Sequence, residues 1–126
     1  MSTDSKVVAL IAHDGKKPDM VSFASSYREK LADYRIIATA ATGRLLREEV
    51  GLDVEDYLSG PLGGDVQIAA RIASREVAAV FFLVDPLDKH PHDPDIQAVQ
   101  RVCNVLDVPL ATNVATANLI ISADAV

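Results

Sequence analysis

Two short runs constrain the fold more than any other feature: residues 7–12 and 77–84 are wholly apolar, carry β-branched side chains, and end at polar or turn-forming residues. Neither alternates between apolar and polar, so neither reads as a strand with one wet face, and both are far too short to cross a bilayer as helices. Unbroken apolar strands of this length belong inside a parallel sheet that is covered on both sides. Aromatic residues make up only 5% of the chain. The layers must therefore be filled by Val, Ile, Leu and Ala, which lets helices lie close against a sheet.

The segments between these strands repeat one theme. After the first strand stops at His13, Asp14 and Gly15, Pro18 suits a first helical position, and Met20, Phe23 or Ala24, Tyr27 and Leu31 recur at helical spacing. Residues 35–38 read as a second strand, 39–43 as a loop of small residues, and 44–50 as a short helix that Gly51 terminates. A third strand over 54–58 carries Glu55 and Asp56, which suits a sheet edge. Residues 59–65 form the densest loop, with Gly60, Pro61, Gly63 and Gly64, and 66–74 return to helical character. Beyond the strand at 77–84 lies a Pro-punctuated loop, 85–95, then a stripe of Ile96, Val99, Cys103 and Leu106 that marks a helix. A brief strand at 109–111, a loop at 112–116 and a helix through 118–121 complete the order. Strand and helix alternate throughout. The expected architecture is a single α/β domain over residues 1–126: a Rossmann-like three-layer α/β/α sandwich around a five-stranded, mainly parallel sheet, with its ligand site at the strands' C-terminal ends.

Charge narrows the partners. With 12 Lys and Arg against 18 Asp and Glu, the net charge is -6, which argues against nucleic acid as a partner, because twelve scattered cations do not supply the clustered basic surface it requires. A phosphate site in such a chain must be built locally, from helix N-termini, hydroxyls and one or two cations. No apolar stretch suggests a membrane anchor or secretory signal. The single Cys103 cannot pair within the chain, so the expected location is the reducing cytoplasm.

Polar and Gly-rich residues gather in the five loops that follow the five strands, and a parallel sheet places all five loops on one edge. The loops at 39–43 and 59–64 combine hydroxyls with glycines ahead of helices, as phosphate binding through backbone N–H groups requires, yet neither has Walker or dinucleotide-fingerprint spacing. Asp65 opens a helix after two glycines, which fits either a general base or a helix cap. The run His90, Pro91, His92, Asp93, Pro94, Asp95, taken with His13 and Asp14, invites a metal reading. It lacks HEXXH, paired cysteines or an i, i+4 His pair, so no metal is expected. Lys17 is the cation nearest the first loop, and Cys103 reads as core.

Taken together, AHDGKK at 12–17, ATG at 41–43, SGPLGGD at 59–65, DPLDKHPHDPD at 85–95 and ATNVATA at 111–117 resemble the methylglyoxal synthase family along nearly the whole chain. The resemblance implies a lyase that converts dihydroxyacetone phosphate to methylglyoxal and inorganic phosphate without metal or organic cofactor, usually assembled as a homohexamer, with phosphate as product and inhibitor. By position, Asp65 is the proton-abstracting carboxylate, while His92 and Asp95 polarise the carbonyl and manage protons on the enediol oxygens. His13 and Asp14 fall in the same pocket. Lys17, Thr39, Thr42, Gly43, Ser59 and Gly60 match positions that hold the substrate phosphate. The family's Thr-Gly-Thr-Thr-Gly loop reads Thr39-Ala40-Ala41-Thr42-Gly43 here, one hydroxyl fewer. The competing reading is a non-catalytic regulatory domain of the same fold that binds phosphate metabolites.

Overall fold

The computed structural model describes residues 6–88 and 93–123. Strand β1 (Val7–Ala12) lies at the centre of a five-stranded sheet, with β2 (Arg35–Ala38) and then β3 (Val54–Asp56) on one side and β4 (Ala79–Leu83) and β5 (Leu110–Ala111) on the other. Every neighbouring pair is parallel; Val8 registers with Ile36 of β2 and with Ala79 of β4. The winding reverses between β1 and β4. In open parallel sheets that reversal leaves a crevice beyond the strands' C-terminal ends.

All six residues of β1 are buried, and the strand's period of two divides them between two cores. Val8, Leu10 and Ala12 face Met20, Phe23, Leu31, Leu46 and Ile121. These come from α1 (Lys17–Ser26), α2 (Arg28–Leu31), a π-helical turn (Leu46–Val50) and α6 (Val114–Ser122). Val7, Ala9 and Ile11 face Ile68, Ile72, Ile96, Val99 and Cys103, from α4 (Gly64–Ala73) and α5 (Asp93–Leu106). Phe81 and Phe82 of β4 fill opposite cores. Each is almost wholly enclosed, a burial worth roughly 1.5–3 kcal/mol per side chain.

Several expected boundaries move, each for a physical reason. The third strand stops at Asp56, and it does lie at the edge. The expected loop at 39–43 is mostly helix: α3 (Ala40–Leu45) begins directly after Thr39, because two alanines favour helix and Gly43 is tolerated where α3 crosses β3. A Cβ on Gly43 would lie 3.5 Å from Val54 Cγ1 and 3.0 Å from Asp56 Cγ. The first helix breaks at Tyr27 (φ -118°, ψ 29°), which divides α1 from α2. Helix α6 starts four residues before Asn118, since the Asn113 side chain accepts the Thr116 N–H at 2.9 Å and caps it. Gly51 ends the π-helical turn with φ 79°, as a C-terminal glycine should. No described helix is long and apolar enough to cross a membrane.

Candidate active site

The alternation that sorts the core also builds the site. Continued past the end of β1, the face of Val7, Ala9 and Ile11 reaches His13; continued past β2, the face of Ile37 reaches Thr39. Helix α4 lies on that face and buries Asp65, Ile68, Ala69 and Ile72, a stripe whose first member is a carboxylate. Among the described residues, His13, Thr39, Thr42 and Asp65 are the buried polar side chains, and Asp65 is 0% exposed. All four follow strands or open helices at the same edge of the sheet.

His13 is fixed from both ends. Its backbone N–H donates to Leu83 O at 3.1 Å, its Nδ1 accepts the Asp85 N–H at 2.9 Å, and its ring meets Phe82 edge-on, with centroids 5.2 Å apart. An N–H directed at Nδ1 requires a lone pair there. The imidazole is therefore neutral, with its proton on Nε2. Asp85 is held in turn, because its Oδ1 accepts the Leu87 N–H at 3.0 Å.

Asp65 sits inside the first turn of α4, while the N-cap position belongs to Gly63 (φ 109°). The capping reading of Asp65 thus gives way to a buried carboxylate at the positive end of a helix. Gly64 is required by contact: a Cβ there would fall 2.8 Å from the Leu58 carbonyl carbon and 2.9 Å from Thr39 Cγ2. Thr39 and Ser59 occupy the N-cap positions of α3 and of the 3-10 turn Gly60–Leu62, and neither spends its side chain on capping. The Ser59 carbonyl accepts N–H bonds from Leu62 at 3.0 Å and Gly64 at 2.9 Å, which folds the loop tightly. Thr42 Oγ1 is buried with no hydrogen-bond partner among the described residues, a deficit that a bound acceptor would relieve. Gly43 already donates its N–H to Thr39 O at 2.8 Å, so its part is the crossing over β3.

Lys17 does not extend into solvent as a helix-start lysine ordinarily would. Its Nζ donates to Ala12 O at 3.0 Å and to Asp14 Oδ1 at 2.7 Å, with 18% of its side chain exposed against 98% for Asp14. Asp14 therefore stands at the rim. Asp95, half-buried, lies in the first turn of α5, the helix packed against α4. His92, with residues 89–91, lies outside the described residues. Among the described residues, no group of three or more His, Cys, Asp or Glu is placed to hold a metal ion.

Sequence reasoning overlooked the Asp85 amide, which has no side-chain signature; only its place after β4, beside β1, could have pointed to it.

Residues 19–112 match the model of a family described as the MGS-like domain. The methylglyoxal synthase of Thermus thermophilus is 55% identical over 117 residues, 93% of either chain. The chain belongs to the methylglyoxal synthase family. The family's Burkholderia mallei member is 55% identical over 114 residues, covering 90% of this chain and 88% of that one. The crystal structure of methylglyoxal synthase from Elizabethkingia anophelis NUHP1 superposes with a TM-score of 0.88 at 43% identity, covering 94% of this chain and 78% of that one. A mainly parallel α/β sheet is thus common to both folds.

Proposed function

We propose that this chain is a cytoplasmic lyase that converts dihydroxyacetone phosphate to methylglyoxal and inorganic phosphate, as a homohexamer and without metal or organic cofactor. The observation that carries this reading is a fully buried carboxylate, Asp65, on the same covered face of the sheet as a neutral, proton-donating His13.

In this mechanism Asp65 takes a proton from the hydroxymethyl carbon, and the electron pair of that C–H bond becomes the enediolate double bond. A positioned base supplies about 10²- to 10⁴-fold by itself. The rest must come from donors aimed at the developing oxyanion. His13, through Nε2–H, and His92 are assigned to that task, with Asp14 and Asp95 managing protons at the rim. The enediolate oxygen takes a proton from the histidine donors, and the hydroxyl on the deprotonated carbon then gives its proton to a rim carboxylate and becomes an aldehyde. The double bond shifts toward the phosphate-bearing carbon, and the C–O bond to phosphate breaks with its electron pair. The resulting enol tautomerises to methylglyoxal. Elimination requires the breaking C–O bond to stand perpendicular to the enediolate plane, so the grip on phosphate decides the outcome. Lys17 Nζ, the hydroxyls of Thr39, Thr42 and Ser59, and the Gly60 region are assigned to that grip.

The test is to incubate the purified protein with dihydroxyacetone phosphate in chelated buffer and to follow phosphate and methylglyoxal together. Equal amounts of both are expected. In Asp65→Asn, turnover should fall about 10²- to 10⁴-fold with an unchanged circular dichroism spectrum. Near-normal turnover in that variant would exclude Asp65 as the base. Binding of triose phosphate by the unaltered protein without any phosphate release would favour the regulatory reading instead.

A further inference from the structure

We infer that Gln67 is a positioning residue. It ties the phosphate-gripping loop to the helix that carries Asp65, and so decides how often the enediolate expels phosphate rather than taking its proton back. This inference rests on the lyase reading above.

The argument begins at the edge of the sheet. The Tyr57 N–H donates to Ala38 O of β2 at 2.9 Å. Amides alternate in direction along a strand, so the Leu58 N–H points away from the sheet, where an edge strand has no neighbour. Gln67 supplies the missing acceptor: its Oε1 takes the Leu58 N–H at 2.8 Å. On the other side of the same residue, Leu58 O accepts the Ala40 N–H at 3.4 Å and lies so close to Gly64 that a side chain there would collide with it. Leu58 therefore touches three segments at once: the start of α3 beside Thr39, the first turn of α4 beside Asp65, and, by direct chain continuity, Ser59 and Gly60.

Gln67 makes this junction from the exposed side of α4, whereas Asp65 belongs to the buried stripe. It acts through Leu58 and not on the substrate. Its own backbone N–H donates to Gly63 O at 3.0 Å, so its side chain projects from the same rigid turn that holds Asp65. Any good helix former would satisfy an exposed position in α4. What this position specifically offers is an acceptor at the reach of Leu58.

The two halves of the reaction depend on this tie unequally. Proton removal needs Asp65 beside one C–H bond. Phosphate expulsion also needs the C–O bond held at its angle by Ser59, Gly60 and the Thr39 segment. If the tie is cut, the loop can drift relative to α4. The enediolate then still forms, but more of it survives until the Asp65 carboxyl has exchanged its proton with solvent, takes that solvent-derived proton back, and leaves as substrate.

The experiment is run in D2O with dihydroxyacetone phosphate, counting deuterium incorporated at the hydroxymethyl carbon of recovered substrate per phosphate released. Gln67→Leu and Gln67→Ala remove the acceptor; Gln67→Glu keeps a carboxylate oxygen in its place. In the first two variants the ratio should rise about threefold to tenfold, the span of one net hydrogen bond. In Gln67→Glu it should stay within about twofold of the unaltered protein, even if the added charge raises KM. An unchanged ratio in Gln67→Leu or Gln67→Ala overturns the inference, and so does an equal rise in all three variants. Absence of phosphate release from the unaltered protein would instead defeat the lyase reading.

Discussion

Replacing Gly64 by Ala tests whether the base is placed by close packing of backbone on backbone. The added Cβ would lie 2.8 Å from the Leu58 carbonyl carbon and 2.9 Å from Thr39 Cγ2, against an optimal carbon separation of about 3.5–4.0 Å. The closest obstacle is main chain, so no rotamer change relieves it, and the first turn of α4 must retreat by roughly 1 Å. Overpacking of this kind costs about 1–3 kcal/mol, offset by less than about 1 kcal/mol from the better helix propensity of Ala. A net loss of roughly 1–2 kcal/mol is expected. The effect on catalysis should be larger, since Asp65 is the next residue and a displacement of about 1 Å can cost about 10²-fold in rate. Urea unfolding and kcat, measured on the same preparation, separate the two. Gly63→Ala is the control: its surroundings are open, but its φ of 109° strains any side chain, so it should lose about 1–2 kcal/mol with a smaller fall in kcat. Wild-type kcat in Gly64→Ala would show that the helix yields without moving Asp65, and the packing argument would be wrong.

Lys17→Met should raise KM for the triose phosphate about 10- to 100-fold, the worth of a charge-assisted hydrogen bond. Its stability should fall by less than about 1 kcal/mol, because the Asp14 partner is exposed; a normal KM would remove Lys17 from the phosphate site. Burial pushes the Cys103 thiol from 9.0 up to about 11. The folded chain then keeps a proton that the unfolded chain releases, so stability should decline as pH rises between those two values. At about pH 8 the native thiol should also react with a disulfide reagent far more slowly than the denatured one, and equal rates would refute its burial.

The fold was most legible where one periodicity ruled. Strands β1 and β2 end where the apolar runs end, because no other structure buries both faces of so short a segment. The strand at 77–84 shortens to 79–83, although Ala78 N–H to Val7 O and Val84 N–H to Thr112 O carry its bonding to the neighbouring strands one residue further at each end. Legibility failed at 39–43, where glycine and threonine suggested a loop. The contact that admits Gly43 to a helix is made with β3, eleven or more residues away in sequence. For the site, knowing that the sheet is parallel was enough to bring the five loops to one edge. Of the two readings left open for Asp65, general base or helix cap, the buried stripe of α4 removes the cap, since Gly63 holds that position. The Asp85 amide on His13 and the Gln67 oxygen on Leu58 had no such signal. Each joins a side chain to a main-chain atom, and main-chain atoms leave no trace in residue identity.

The net charge of -6 bears directly on how the proposed elimination ends. Substrate and product share the phosphate group, so a site that bound phosphate chiefly by accumulated positive charge would hold the product as firmly as the substrate. The candidate site is built otherwise. The cation assigned to it, Lys17, is already engaged by Asp14 and the Ala12 carbonyl, and His13 is held neutral by the Asp85 amide. What remains for phosphate is mainly directional: hydroxyls at Thr39, Thr42 and Ser59, and N–H groups at the starts of short helices. Directional donors fix the angle of the C–O bond while that bond exists, which is when the angle matters. Once the bond breaks, the anion is free to rotate out of that geometry, and a chain of net negative charge adds no long-range attraction to oppose its departure.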